Sequence, residues 1–243
     1  MKKLPIRFAW ILLCSIGTTI YYSSKTIFYA HKKLPSRQKL NEVITDWARS
    51  LLNIIDLKYD IIGNHHIQFQ EQTPYIFMSN HLSLYDIPLL LVSLPGTVRM
   101  VAKKELFKVP LWGDAMQQSD FVSIDRENIT QAVKDLDVAA EKMKQGIRLW
   151  IAPEGTRSRD GQLQAFKKGA FNLAIQTGAT IIPVTIIGTD QLLPAKTLQF
   201  RLGQKVQVHL GEPIDAKQYT LRDRMKLLQR VREAIAAPLG VGK

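Results

Sequence analysis

The chain has 243 residues, 46% of them hydrophobic, and carries 33 basic against 21 acidic side chains, a net charge of +12. That length suits one large domain, or a domain with an appendage, and the apolar content is enough for a sizeable core. The lone cysteine, Cys14, excludes an intramolecular disulfide and a cysteine-built metal cluster.

The charge excess gathers at the N-terminus. Residues 1–41 hold Lys2, Lys3, Arg7, Lys25, Lys32, Lys33, Arg37 and Lys39 and no acid. Such a block beside an apolar run favours an anionic membrane surface as partner over nucleic acid. Phe8 to Ser24 is 17 residues without a charge. As a helix it would span about 26 Å at ~1.5 Å per residue, against a hydrocarbon core of ~30 Å. No small-x-small cleavage site follows it, which argues against a removed signal peptide. Leu13 before Cys14 argues against a lipoprotein site. The segment reads as a retained membrane anchor that either spans the bilayer or dips into one leaflet. If it spans, the heavier basic flank after it faces the cytoplasm and keeps residues 40–243 there. If it dips, both flanks stay cytoplasmic. A turn over Lys32, Lys33, Pro35 and Ser36 follows.

Leu40 to Leu57 has apolar residues at 40, 43, 44, 47, 48, 51, 52, 54 and 55, a helical stripe. Two readings stand. With the first helix it forms a membrane-associated two-helix hairpin over residues 1–58, or it is an ordinary helix packed on the core. From residue 60 the pattern alternates. Strands are expected at His66–Phe69, Tyr75–Met78, Thr97–Ala102, Phe121–Ile124, Ile147–Ala152, Thr180–Ile187 and Val206–Leu210. Helices are expected at Asp86–Leu94, Pro110–Met116, Ile129–Gln145, Lys168–Thr177 and Leu221–Ala236. This is an α/β catalytic domain over 59–243, with a mixed, largely buried sheet of about seven strands flanked by helices. The pair His65–His66, at a strand start, reads as structural.

The stretch Ser79-Asn80-His81-Leu82-Ser83-Leu84-Tyr85-Asp86 ends the Tyr75–Met78 strand. Histidine is the side chain whose ordinary pKa lies near neutrality, and a carboxylate on one ring nitrogen makes the other a better proton acceptor. Residues i and i+5 do not face each other on a helix, so His81 and Asp86 meet only if a turn separates them. A plainer reading is a helix start, with Ser83 and Asp86 as a capping box. Lys103-Lys104 follows the next strand. Asp125-Arg126 and then Pro153-Glu154-Gly155-Thr156-Arg157-Ser158 end two more. Strand ends converging on one rim are where α/β proteins assemble sites. Gly155 permits close backbone approach, and Arg157 offers a planar fork matched to phosphate.

Taken in order, Asn80-His81-x-Ser83-x-x-Asp86, Ile124-Asp125-Arg126, Pro153-Glu154-Gly155-Thr156-Arg157-Ser158 and Ile182-Pro183-Val184, with Phe166-Lys167-Lys168-Gly169-Ala170-Phe171 after the third, resemble the sequence blocks of the glycerolipid acyltransferases. They are most similar to those of the bacterial 1-acylglycerol-3-phosphate acyltransferases. The resemblance covers about residues 60–215. Ala152 stands where a Phe is common and Ser123 where an aromatic is common; both flank the chemistry. The resemblance implies acyl transfer from acyl-CoA or acyl carrier protein to the hydroxyl of a lysophospholipid, giving phosphatidic acid, at the cytoplasmic side of a bacterial inner membrane. It implies no metal or prosthetic group. It makes His81 the general base and Asp86 its orienting partner. Arg157, Arg126, Lys103 and Lys104 would hold the acceptor phosphate, Glu154 and Gly155 shape that pocket, Ser83 and Thr156 belong to the substrate-binding set, and Pro183, between Ile182 and Val184, lines the acyl side. A lyso-ornithine lipid, a lysoglycolipid or glycerol-3-phosphate are alternative acceptors. A basic membrane-surface protein without chemistry is the alternative class.

Overall fold

The computed structural model describes residues 6–32, 36–63, 67–70 and 73–240. The His65–His66 pair, Lys2, Lys3, and Lys33 and Pro35 of the expected turn lie outside them. Two helices open the chain, α1 (Ile6–His31) and α2 (Arg37–Ile54). There follow β1 (Tyr59–Ile62), β2 (Tyr75–Ser79), α3 (Asp86–Ser93), β3 (Val98–Lys103), α4 (Trp112–Gln118), β4 (Val122–Ile124), α5 (Ile129–Lys144), β5 (Arg148–Ile151), α6 (Gly169–Thr177), β6 (Thr180–Ile187), α7 (Thr189–Leu192), β7 (Val206–Leu210), β8 (Ile214–Asp215) and α8 (Arg224–Ala236).

The strands join in one sheet of order β1-β7-β6-β2-β5-β3-β4, with β8 pairing the start of β6. β2, β3, β4, β5 and β6 run parallel to one another, and β7 and β8 run antiparallel to β6. Strands buried on both faces explain the continuous apolar runs. In β2, Ile76 and Met78 pack among α5, α6 and α8, and Tyr75 and Phe77 pack among α2, α3 and α4. α2 therefore belongs to the core, through Ile44 and Ala48. Arg99, almost wholly buried, donates to the Asn41 side chain at 2.7 Å and ties α2 to the sheet.

Two strands differ from expectation at the N-terminal side. The first strand is Tyr59–Ile62, an edge strand paired with β7, not His66–Phe69. His66 lies outside the described residues, and Ile67–Gln70 forms no ladder. Phe69 instead packs edge-on against Tyr75 with centroids 4.9 Å apart, under the Arg148 guanidinium.

α1 buries Ile11 in the core but turns other apolar residues outward. Ile6, Trp10 and Leu13 are 90%, 66% and 64% exposed, whereas Ser23 and Thr26 are buried against the protein. No helix of the described residues is long and apolar enough to cross a membrane.

Candidate active site

β2 and β5 are adjacent and parallel, so the loops that follow them meet at one rim. Asn80 leaves β2 as a substitute rung of the ladder. Its side-chain amide donates to the Ile186 carbonyl at 2.8 Å and accepts the Ile186 N–H at 2.7 Å. The next residue, His81, is thereby turned off the sheet. The chain reverses over Leu82–Tyr85, and α3 starts at Asp86 with Pro88 tolerated in its first turn.

The reversal brings the two side chains together. His81 Nδ1–H donates to Asp86 Oδ2 at 2.7 Å. The same oxygen accepts the backbone N–H groups of Leu82 at 2.6 Å and Ser83 at 2.9 Å. The bond from Ser83 N follows the reach-back pattern of a capping box, but the N-cap of α3 is Tyr85 and Ser83 Oγ accepts Tyr85 N–H instead, so the box is not formed. Asp86 is wholly buried, while the His81 side chain keeps 17% exposure. With Nδ1 committed, Nε2 is the nitrogen left to act, and it has no hydrogen-bond partner among the described residues. The Trp150 ring stands edge-on to the imidazole at 6.0 Å and donates its N–H to Ser79 Oγ.

The loop after β5 grips His81 by its backbone. Glu154, 3% exposed, accepts His81 N–H on Oε1 and Gln164 N–H on Oε2, each at 2.8 Å. Burial pushes the Glu154 carboxyl up, and the two N–H bonds oppose that shift. Ser158 N–H closes the grip on the His81 carbonyl at 2.8 Å. Glu154 is thus placed as a clamp between two loops. A glutamine there must aim its NH₂ at one of two N–H donors. Glu154→Gln is expected to cost roughly 1–3 kcal/mol, the range for a buried group left unsatisfied, read as a lower thermal midpoint together with weaker acyl transfer.

Between the two grips, Gly155 takes φ +71°, and a Cβ there would lie 2.9 Å from Lys167 Cε. Arg126 donates to the Gly155 carbonyl. Arg126 and Lys167 therefore converge on Gly155, and Arg157 is two residues on. Half-buried Arg157 and exposed Thr156 make no side-chain hydrogen bond or ion pair with the described residues. The other expected cations have acids of their own. Lys104 pairs with Asp125 at 2.7 Å and holds that carboxyl below the usual range, while Lys103 lies 3.5 Å from Glu105 and 3.7 Å from Glu127. Asp125 also accepts the N–H groups of Glu127 and Asn128, which shapes the turn that presents Arg126.

Ser83 and Pro183 sit elsewhere than the resemblance implies. Ser83 is wholly buried and donates to the Leu193 carbonyl at 2.9 Å, so it faces the protein. Pro183 is buried inside β6, in the gap between the β8 rungs, which end at Ile181, and the β7 rungs, which begin at Val184. It stands opposite Met78 of β2, and its carbonyl accepts Gly211 N–H at 2.8 Å. A separate apolar cavity lies between α1 and the body of the protein. It measures about 490 Å³ and is walled by Ile16 and Ile20 of α1, by Leu84 and Tyr85 from within the dyad's own loop, and by Leu111 and Phe200. That volume falls in the range of ligand pockets, ~300–1,000 Å³.

A family model described as Acyltransferase matches residues 61–187, half of the chain and all of the dyad and clamp loops. The chain belongs to that acyltransferase family. Among its relatives, a chloroplastic 1-acyl-sn-glycerol-3-phosphate acyltransferase of Arabidopsis thaliana is 33% identical over 180 residues, 74% of this chain and 50% of the relative. The human 1-acyl-sn-glycerol-3-phosphate acyltransferase alpha is 29% identical over 88% of this chain and 77% of its own. The chain thus spans about half the length of the plant relative. In fold, the crystal structure of the 1-acyl-sn-glycerophosphate (LPA) acyltransferase, PlsC, of Thermotoga maritima superposes with a TM-score of 0.79 at 26% identity, covering 98% of this chain and 97% of that one. The acyltransferase fold here is the mixed α/β sheet expected from the sequence, with eight strands among the described residues in place of about seven.

Sequence reasoning passed over Trp150 and Thr189, which touch His81 and Asp86. A hydroxyl residue straight after a glycine at the end of a buried strand, as in Ile187-Gly188-Thr189, was the available signal for the second.

Proposed function

We propose that this chain transfers an acyl group from a thioester donor, acyl-CoA or acyl carrier protein, to the free hydroxyl of 1-acylglycerol-3-phosphate. The observation that carries the reading is the 2.7 Å bond from His81 Nδ1–H to a wholly buried Asp86, which leaves Nε2 without a hydrogen-bond partner among the described residues. His81 Nε2 takes the proton of the acceptor hydroxyl as its oxygen attacks the thioester carbonyl. The tetrahedral intermediate collapses to the ester, the C–S bond breaks, and the departing thiolate takes the proton back from His81. The group of Arg126, Arg157 and Lys167 around Gly155 supports a phosphate on the acceptor. The relatives named for 1-acyl-sn-glycerol-3-phosphate support the same acceptor. The cavity against α1 supports an acyl chain beside the dyad. The outward apolar face of α1, with Lys25 and Lys32 on the same helix and the turn after it, supports docking in one leaflet of an anionic membrane.

The test is thiol release by the purified full chain, with acyl-CoA and acyl carrier protein each paired with a panel of acceptors. Release that requires lysophosphatidate is the expected result; no release with either donor on any lysolipid would overturn the reading. Within that assay Arg157→Lys keeps a charge but loses the fork. It is expected to lower kcat/KM for lysophosphatidate and leave monoacylglycerol unaffected. Equal losses on both acceptors would remove Arg157 from the phosphate site.

A further inference from the structure

Asp86 has two oxygens and an uneven set of partners. Oδ2 takes three N–H donors, from His81, Leu82 and Ser83. Oδ1 takes one donor among the described residues, the hydroxyl of Thr189 at 2.5 Å. A carboxylate only accepts, so the Thr189 hydroxyl must donate. Thr189 is wholly buried, so the bond is shielded from bulk solvent.

From this arrangement we infer that Thr189 is a positioning residue of the reaction: its hydroxyl holds Asp86 Oδ1 so that Oδ2 stays aligned on His81 Nδ1. The inference rests on the reading of His81 and Asp86 as the acid–base pair.

The chain is built to deliver that hydroxyl. β6 ends at Ile187, and Gly188 turns at φ +92°, with the Lys205 carbonyl oxygen too close to leave room for a Cβ. That close approach requires glycine, and it swings Thr189 off the strand end toward α3. Threonine is stiff at χ1, so the hydroxyl loses little freedom when it bonds. The short helix α7 is then pinned at its far end, where the Leu193 carbonyl accepts the Ser83 hydroxyl at 2.9 Å. The Asn80–Ile186 pair ties β6, one residue before its end, to the residue before His81. Three separate links thus lock the end of β6 to the loop that carries His81. Only the Thr189 link ends on the carboxylate itself. Without it Oδ1 is a buried, unpaired anionic oxygen, and the carboxylate gains by rotating about χ2 toward other donors. That rotation would take Oδ2 out of the imidazole plane and release the ring tautomer that leaves Nε2 free.

The experiment compares the full chain with Thr189→Val, Thr189→Ala and Thr189→Ser, measured as kcat and as KM for both substrates in detergent micelles. Loss of a second-layer hydrogen bond to a reacting unit typically costs ~10–100-fold, so Val and Ala are expected to lose kcat by that factor. KM should stay within about threefold of wild type, because neither substrate is touched. Ser, which keeps the hydroxyl, should return to within about threefold of wild-type kcat. If Val does not fold, the Ala–Ser pair decides by the same criteria. The inference is overturned if Ala keeps more than about a third of wild-type kcat, if Ser is as impaired as Ala, or if the loss appears as a rise in KM. Wild type and His81→Ala run alongside. An inactive wild type or an active His81→Ala overturns the acid–base reading and this inference with it. An active wild type, an inactive His81→Ala and an unimpaired Thr189→Ala overturn this inference alone.

Discussion

Replacing His81 with alanine is expected to lower acyl transfer by ~10²–10⁴-fold, the usual worth of a positioned general base, with little loss of fold. The second half of that expectation comes from how His81 is held. The bonds that fix its place, from His81 N–H to Glu154 and from Ser158 N–H to the His81 carbonyl, are made by backbone and survive truncation of the ring. Asp86 loses one donor on Oδ2 and keeps the Leu82 and Ser83 N–H groups and the Thr189 hydroxyl. The change therefore removes the base and leaves the frame. Thiol release against a thermal melt separates the two effects. An alanine enzyme within about threefold of wild-type kcat would mean that His81 is not the base. So would a loss of activity that only tracks unfolding.

How much of this was legible beforehand depends on how local each signal is. The central strands were legible because burial on both faces forces continuous apolar runs, as in Thr180–Ile187, whose limits coincide with β6. β1 was not: Asp60 breaks its apolar pattern, and its place at the sheet edge leaves Ile61 and Ile62 exposed. β8 is two residues long and carries no periodicity at all. The His66–Phe69 alternation was misread because Phe69 uses its ring, not its backbone, to join the sheet. In the site, His81 and Asp86 could be paired from spacing and a turn, since five residues separate them. Glu154 could be singled out but not assigned, because its partner lies 73 residues away and is a backbone N–H. The role of Pro183 needed the strand order, which alone shows where β6 changes neighbours. The apolar cavity needed the packing of α1, and nothing in the Ile182-Pro183-Val184 block announces it.

Asp86→Asn should be nearly as damaging to catalysis as loss of His81, and more damaging to stability. An amide has one acceptor oxygen where the carboxylate has two. Whichever way the substituted amide turns, its NH₂ meets donors: the His81, Leu82 and Ser83 N–H groups on one side, or the Thr189 hydroxyl on the other. If the NH₂ occupies the Oδ2 place, it can satisfy His81 only as a donor. The ring must then carry its proton on Nε2, and the nitrogen that faces the acceptor hydroxyl can no longer accept. A wrong tautomer of this kind costs on the order of 10⁴ in kcat in the Ser-His-Asp enzymes where the orienting aspartate becomes asparagine. If the amide oxygen keeps the Oδ2 place, the tautomer survives, but Thr189 must rotate its hydroxyl to accept from the NH₂, and the charge that steadies the protonated ring is gone. Either way two or more wholly buried N–H groups trade a charged acceptor for a neutral one or for none, which costs about 1–3 kcal/mol for each donor left unpaired. The expected result is a lowered melting point with kcat down by about 10²–10⁴-fold at saturating substrate. Thr189→Ala combined with Asp86→Asn should lose less than the product of the single losses, because both act through one carboxylate. Full multiplicativity in that double variant would mean that Thr189 and Asp86 act on the reaction separately.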